Sequence, residues 1–215
     1  MIKGLLKKDL FNLRFYYILF AAVIFLTSTS LIGTLADESI LSLIGYYLPI
    51  IFVGSILVES LILYSCQIDD KSNWERFIIS NGVSRKNIVI SKFVLSLINA
   101  TFSGVFCLLF GIIFNPNLIL YTLSAFVIIV SSAILSSSIC YLLCIILGAI
   151  KGSVYLGLTY MLTSAIGPLI FFLSTYFFSN ILISLAISLG ASIVLLIIAL
   201  LIFYCCYKVI CHKEY

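Results

Sequence analysis

Residues 118–147, LILYTLSAFVIIVSSAILSSSICYLLCIIL, carry no charged side chain and show no alternation of polar with apolar positions. As a helix this run reaches about 45 Å, more than the ~30 Å hydrocarbon core of a bilayer. Lipid offers the backbone no hydrogen-bond partner, so a spanning segment is either a helix or a strand of a closed barrel, and barrel strands alternate. The run therefore reads as a membrane-spanning helix. The whole chain agrees: of its 215 residues 63% are hydrophobic and 9% charged, against about 25% charged in soluble domains. No single water-soluble core hides that much apolar surface.

Working outward, five more apolar runs appear, at 15–36, 40–66 (with Pro49), 88–114, 153–178 (with Gly167-Pro168) and 181–207. The fold class expected is an all-α integral membrane protein with six transmembrane helices. Asp37-Glu38, Asn115-Pro116-Asn117 and Ser179-Asn180 make one set of turns; the loop 67–87 and Gly148-Ala149-Ile150-Lys151-Gly152 make the other. With this parity all twelve Lys and Arg residues lie at one side and Asp37 and Glu38 at the other, which places both termini and the 67–87 loop in the cytoplasm. Residues 1–14 place Ile2, Leu5, Leu6, Leu10 and Leu13 at helical spacing, with Lys3, Lys7, Lys8 and Arg14 elsewhere on the wheel. They read as an amphipathic helix lying on the inner leaflet. The basic start is not a secretory signal, because the 15–36 run is long enough to span and no cleavage site with a mature polar domain follows. Residues 208–215 form a cytoplasmic tail. No repeat, linker or second domain is visible.

Composition also removes whole classes of chemistry. The single His212 excludes a histidine-centred metal site or triad, and no phosphate-binding G-x-x-x-x-G-K-[ST] loop occurs, so this chain binds no nucleotide cofactor by itself. Paired catalytic residues for an intramembrane enzyme are lacking. The charge of +4 follows membrane side and is not gathered on a soluble face, which argues against nucleic acid. The seven cysteines lie in apolar runs or near helix ends and read as small packing residues, with acylation at Cys205-Cys206 the lesser alternative.

The one long polar segment is 69–92, DDKSNWERFIISNGVSRKNIVISK. A helix begun near Ser72, with Asp69, Asp70 or Ser72 as cap, carries Trp74, Phe77 and Ile78 on one ridge beside Glu75 and Arg76, and Asn81-Gly82 stops it. Two readings stay open from the residues alone: an interfacial connector, or a docking ridge for a soluble partner.

Two patches carry a family resemblance. Trp74-Glu75-Arg76-Phe77 followed by Ser84-Arg85-Lys86-Asn87-Ile88-Val89 and Ser91-Lys92-Phe93 resembles the loop W-[DE]-[KR]-[YF] … L-P-[VI]-S-R-K-x-I-V-x-[SA]-K-[YF] of small bacterial ABC type-2 exporter permeases, with Asn81-Gly82 where those have Leu-Pro. Gly4-Leu5-Leu6-Lys7-Lys8-Asp9-Leu10 resembles their G-L-L-x-K-D-L start. The resemblance implies that residues 74–78 form a coupling helix docked on an ABC ATPase. It also implies that Ser84, Arg85, Lys86 and Lys92 belong to the loop motif, that ATP and Mg are held by that separate ATPase, and that two permease copies or two related permeases pair in the bacterial cytoplasmic membrane. The relatives nearest in size and loop pattern export amphipathic cytolytic peptides such as phenol-soluble modulins, or protect against antimicrobial peptides. A membrane immunity or scaffold protein that binds a partner without moving cargo is the alternative.

Three further features invite a role. Glu59 is the only ionisable residue well inside an apolar run. A charge there is costly, so it is either part of the path or a packed, hydrogen-bonded glutamate facing serine, tyrosine, Arg14 or Lys92. Ser131-Ser132 and Ser136-Ser137-Ser138, with Gly157 and Gly167, suit close helix packing more than a polar path. Tyr46, Tyr47, Tyr121, Tyr176, Phe177 and Phe178 fall near outer ends, as interfacial aromatic belts do.

Overall fold

The computed structural model describes residues 2–31, 40–114, 118–149, 153–178 and 180–212. Eight helices cover them: α1 (Ile2–Ser30), α2 (Ile40–Lys71), α3 (Trp74–Ser80), α4 (Arg85–Phe114), α5 (Ile119–Leu147), α6 (Ser153–Ser164), α7 (Ile166–Phe177) and α8 (Ile181–His212). Five of them, α1, α2, α4, α5 and α8, are long and apolar enough to cross a membrane among the described residues. The turns at Asp37-Glu38, Asn115–Asn117 and 150–152, and the last three residues of the tail, lie outside the described residues.

The 118–147 run from which the fold was read becomes the central helix. α5 packs against α2, α4 and α8 along its length and touches α6 and α7 as well, so apolar residues all round it find protein. α8 is just as uniformly apolar, yet Leu182, Ile193, Val194, Leu200 and Leu201 stand exposed along it. Such a face calls for cover by lipid or by another apolar protein surface. α1 lies outermost on the other side, against α2 and α4.

Four expectations change. First, residues 1–14 are not a separate surface helix. α1 is one helix from Ile2, and its buried stripe Leu5, Asp9, Leu13, Phe20, Ile24, Ser28 continues through the expected boundary at Arg14. No proline or glycine interrupts residues 5–30, and Asp9 is held inside by a cation from α4 (below). Second, 153–178 is not one helix. Pro168 has no N–H to give the Ser164 carbonyl and its ring crowds that carbonyl, so the chain breaks at Ala165. There Leu169 N resumes the ladder onto Ala165 O at 3.1 Å. Third, Tyr46 and Tyr47 form no belt: both are fully buried, and Tyr47 shares a hydrogen bond with Thr122 (2.5 Å) and packs on Phe171. Tyr176, Phe177 and Phe178 are exposed as expected. Fourth, of the two glycines only Gly167 is a close approach, since a Cβ on it would stand 2.5 Å from Ser132 Oγ, whereas nothing lies within 4 Å of Gly157.

The helix ends are tied in register. At the basic end Lys8 of α1 meets Asp69 of α2. Asp70 accepts a bond from Ala149 N beyond α5 (2.7 Å), and Arg85 at the start of α4 donates to Ile210 O and Cys211 O at the end of α8 (3.2 and 2.5 Å). A guanidinium on the last carbonyls of a helix satisfies groups that have no partner within it. At the opposite end Asn180 Oδ1 caps α8 through Leu182 N (3.0 Å).

Candidate functional site

The coupling segment begins later than the sequence suggests. α3 starts at Trp74 because Asn73 adopts a left-handed conformation (φ 48°) and breaks the run from α2. None of the three expected caps serves: Asp69 is ion-paired, Asp70 accepts from Ala149, and Ser72 Oγ returns to Ile68 O at 2.8 Å. The far end is as expected and sharper. Gly82 (φ 79°) donates to Ile79 O (3.0 Å) and Val83 N to Ile78 O (3.0 Å), the paired bonds of a Schellman stop, with Val83 packed near Ile78. Asn81-Gly82 thus supplies a defined turn where the family pattern has Leu-Pro.

The three ridge residues stay together but differ in exposure, with Trp74 in the middle. Ile78 is buried with Leu5 of α1 and Ile88 of α4, and Trp74 packs beside them. Phe77 stands at the outer edge, its ring 5.6 Å from that of Trp74 yet 58% exposed, with Arg76 exposed next to it. The indole ring is occupied from within the chain, since Lys8 Nζ stands 4.9 Å from its centroid. Glu75 lines a small polar cavity with Asp70, Tyr141 and Cys144. Ser84 precedes α4 and accepts from Asn87 N (2.9 Å), while Lys86 is exposed at the first turn of that helix.

Beneath α3 lies a constellation the sequence reading missed. Lys92 Nζ reaches Asp9 Oδ2 at 3.1 Å and Asp69 Oδ2 at 2.7 Å and also bonds Ser65 Oγ. Lys8 bridges the same two carboxylates from the other side, 3.1 Å from Asp9 Oδ1 and in contact with Asp69 Oδ1. Lys92, Asp9 and Asp69 are each at least 95% buried. Two cations and two anions cancel, so the set is tolerable away from water only while all four are present. This clasp joins α1, the end of α2 and the start of α4, and through Lys8 it touches Trp74. The Lys-Asp pair at 8–9 lies in the family-like G-L-L-x-K-D-L patch and Lys92 in the second patch; that both patches carry the resemblance is the one sequence signal linking them, and it does not by itself pair them.

Deeper in the bundle Glu59 is fully buried on α2. It meets neither Arg14, which stacks on Phe11 and Phe15, nor Lys92. Its partner is Thr163 on α6, whose hydroxyl donates to Oε2 at 3.1 Å, and Oε1 has no hydrogen-bond partner among the described residues. Thr163 sits two residues before the α6–α7 break. The serines of α5 are not aimed at Glu59: Ser131, Ser136, Ser137 and Ser138 each return to a carbonyl one turn back, and Ser132 does so while sharing a 3.1 Å bond with Ser55. They allow close packing. Among the described residues no group of His, Cys, Asp and Glu is placed to hold a metal ion.

Long apolar helices around a buried central one, with a short polar helix fastened to their basic end, define a polytopic membrane domain. The sequence matches the family model described as ABC-2 family transporter protein over residues 4–213, and the chain belongs to that family. It is a multi-pass membrane protein and the permease subunit of an ABC transporter, which works with an ABC ATPase. No curated protein and no solved structure matches it significantly.

Proposed function

We propose that this chain is the membrane half of a bacterial exporter in which two copies, or this permease and a related one, stand on two separately encoded ATPases that hold the ATP and Mg. The cargo is an amphipathic antimicrobial or cytolytic peptide. Six crossings, with α6 and α7 sharing the fifth, put both termini and α3 in the cytoplasm. The observation that carries this reading is Phe77: a large apolar side chain, 58% exposed on a polar two-turn helix whose other face is fixed to α1 and α4. An aromatic ring packed on one side against Trp74 and open on the other is the anchor a partner groove needs.

The coupling follows from the contacts. ATP-driven closure of the ATPases displaces Phe77 and Arg76. Ile78 passes the movement to Leu5 and Ile88, and Trp74 passes it to Lys8 and so to the clasp. The bundle changes state only if the two ATPase geometries grip α3 differently. Support for the peptide cargo comes from the likeness of residues 4–10 and 74–92 to the small peptide-exporting permeases.

The test is co-purification with the ABC ATPase, encoded by the same organism, that binds this chain, and reconstitution into vesicles with a labelled amphipathic helical peptide. Peptide movement should require both the ATPase and ATP, and Phe77→Ala should weaken assembly at least about tenfold, the effect of losing ~1.4 kcal/mol of contact. Movement without any nucleotide-cleaving subunit overturns the reading. A stable complex whose ATP hydrolysis ignores every peptide hands the chain to the immunity or scaffold alternative.

A further inference from the structure

Where the first turns of α4 lean on the last turns of α8, the two helices leave an apolar groove of about 360 Å³. Val89 and Phe93 of α4 and Leu200, Phe203 and Tyr207 of α8 form its walls, and the stem of Lys86 stands at its mouth. The Phe93 and Phe203 rings meet edge to face at 4.9 Å and close it deeper in the bilayer. At the basic end Arg85 fixes the two helices together through the Ile210 and Cys211 carbonyls. The groove is therefore a built gap of fixed width, and from Lys86 to Phe93 it runs about 10 Å along α4.

Its chemistry selects the occupant. Walls this apolar give water no partners, and the volume falls in the range of ligand pockets, so hydrocarbon fits it. The mouth is cationic. Lys86 is exposed, and all four ion pairs found among the described residues belong to the clasp, so none neutralises it. Lys208 does not line the groove but stands near it, over the groove residue Tyr204 at 5.1 Å. Among the described residues the carboxylates of a second copy are already engaged or buried: Asp9 and Asp69 are locked in the clasp, Asp70 is bonded to Ala149 N, Glu75 faces the small cavity under α3 and Glu59 lies inside the bundle. An apolar tail with an anionic head supplies both requirements at once.

We propose that this groove is a binding site for one anionic phospholipid, an acyl chain lying between α4 and α8 and its phosphate on Lys86. The site rests on the membrane placement of the family and on which end is basic, and is independent of the peptide cargo. Because α4 follows directly from α3, a lipid wedged here sets how far α4 can slide on α8 when α3 is pushed.

The experiment is native mass spectrometry of the full-length chain, purified and exchanged into phosphatidylglycerol or into phosphatidylcholine with identical acyl chains. The wild type should retain one phosphatidylglycerol molecule through activation that strips phosphatidylcholine. Lys86→Glu should lower that retention at least about fivefold, the scale of one lysine at an anionic surface. Val89→Trp, which fills the groove, should abolish it, and Lys86→Arg should keep it, showing that the substituted position still folds. Equal retention of the two headgroups, or undiminished retention in both Lys86→Glu and Val89→Trp, overturns the proposal. So does a dimer that dissociates on Val89→Trp with the lipid count unchanged, which gives the groove to a second copy. None of these readings depends on transport.

Discussion

Lys92 shows what one side chain does in this bundle. It is 2% exposed and lies between two carboxylates from different helices. Lys92→Met leaves Asp9 and Asp69 facing one remaining ammonium in a dry site, an uncompensated buried charge costing about 3–5 kcal/mol. We expect a large drop in the thermal transition of the detergent-solubilised protein. Lys92→Met combined with Asp9→Asn should regain much of it, because the charges again balance; a double variant no better than the single one would mean that the clasp is not an electrostatic unit. Glu59→Gln should behave oppositely. The amide keeps an oxygen for Thr163, and Thr163 retains its own bond to Thr159 O (2.7 Å), so the same thermal measurement should move by less than ~1 kcal/mol. The sequence marked Glu59 as buried because an isolated carboxylate in an apolar run has nowhere else to go. It could not pair Asp9 with Lys92: Lys8-Asp9 looks like the wet face of an amphipathic helix, and only the docking of α1 on α4 turns Asp9 inward. Trp74 likewise meets Leu5 and Lys8, partners sixty-odd residues away that its local sequence does not announce.

At the scale of elements, stop signals were legible and long-range continuity was not. Asn81-Gly82 ends α3 as its residue types require, and the cost of losing it follows. Gly82 is left-handed (φ 79°), so Gly82→Val imposes a strain of about 1–2 kcal/mol on a helix of only seven residues. The Schellman stop should fray and Phe77 lose its fixed direction. Co-purification with the ATPase should weaken while the thermal transition of the bundle hardly changes; an unchanged assembly would remove α3 from the interface. The sequence places Gly167-Pro168 inside one span, 153–178, because whether a proline divides a helix depends on what packs there. Here Ser132 and Ile51 approach so closely that a Cβ on Gly167 would stand 2.5 and 3.0 Å from them. Gly167→Leu should therefore push α7 from α5 and α2 and lower thermal stability by about 1–3 kcal/mol, the usual cost of overpacking.

For the whole molecule, α5 and α8 mark the limit of reading by composition. Both are apolar on every side, and nothing in either run says that one is the core and the other the lipid face; that is settled by which helices the chain brings against each. Parity is the stronger whole-chain argument, and the native cysteines test it. Cys205 and Cys211 are exposed and the other five are buried. Cys211 lies at the basic end, its carbonyl held by Arg85, while Cys205 sits about 9 Å deeper on the lipid-facing helix. A membrane-impermeant maleimide should therefore label Cys211 in inverted vesicles and leave intact cells unlabelled, and Cys211→Ser should abolish the signal. Gly4, exposed with nothing within 4 Å of a built Cβ, gives the matching reporter at the other terminus. In a Cys211→Ser background, Gly4→Cys should react from the same side as Cys211 does. If α6 and α7 did not together cross the membrane, five crossings would remain and the two positions would label from opposite sides. That result would put Arg85, at the start of α4, and the Ile210 and Cys211 carbonyls, at the end of α8, on opposite sides of a bilayer, and neither that tie nor the groove between the two helices would survive it.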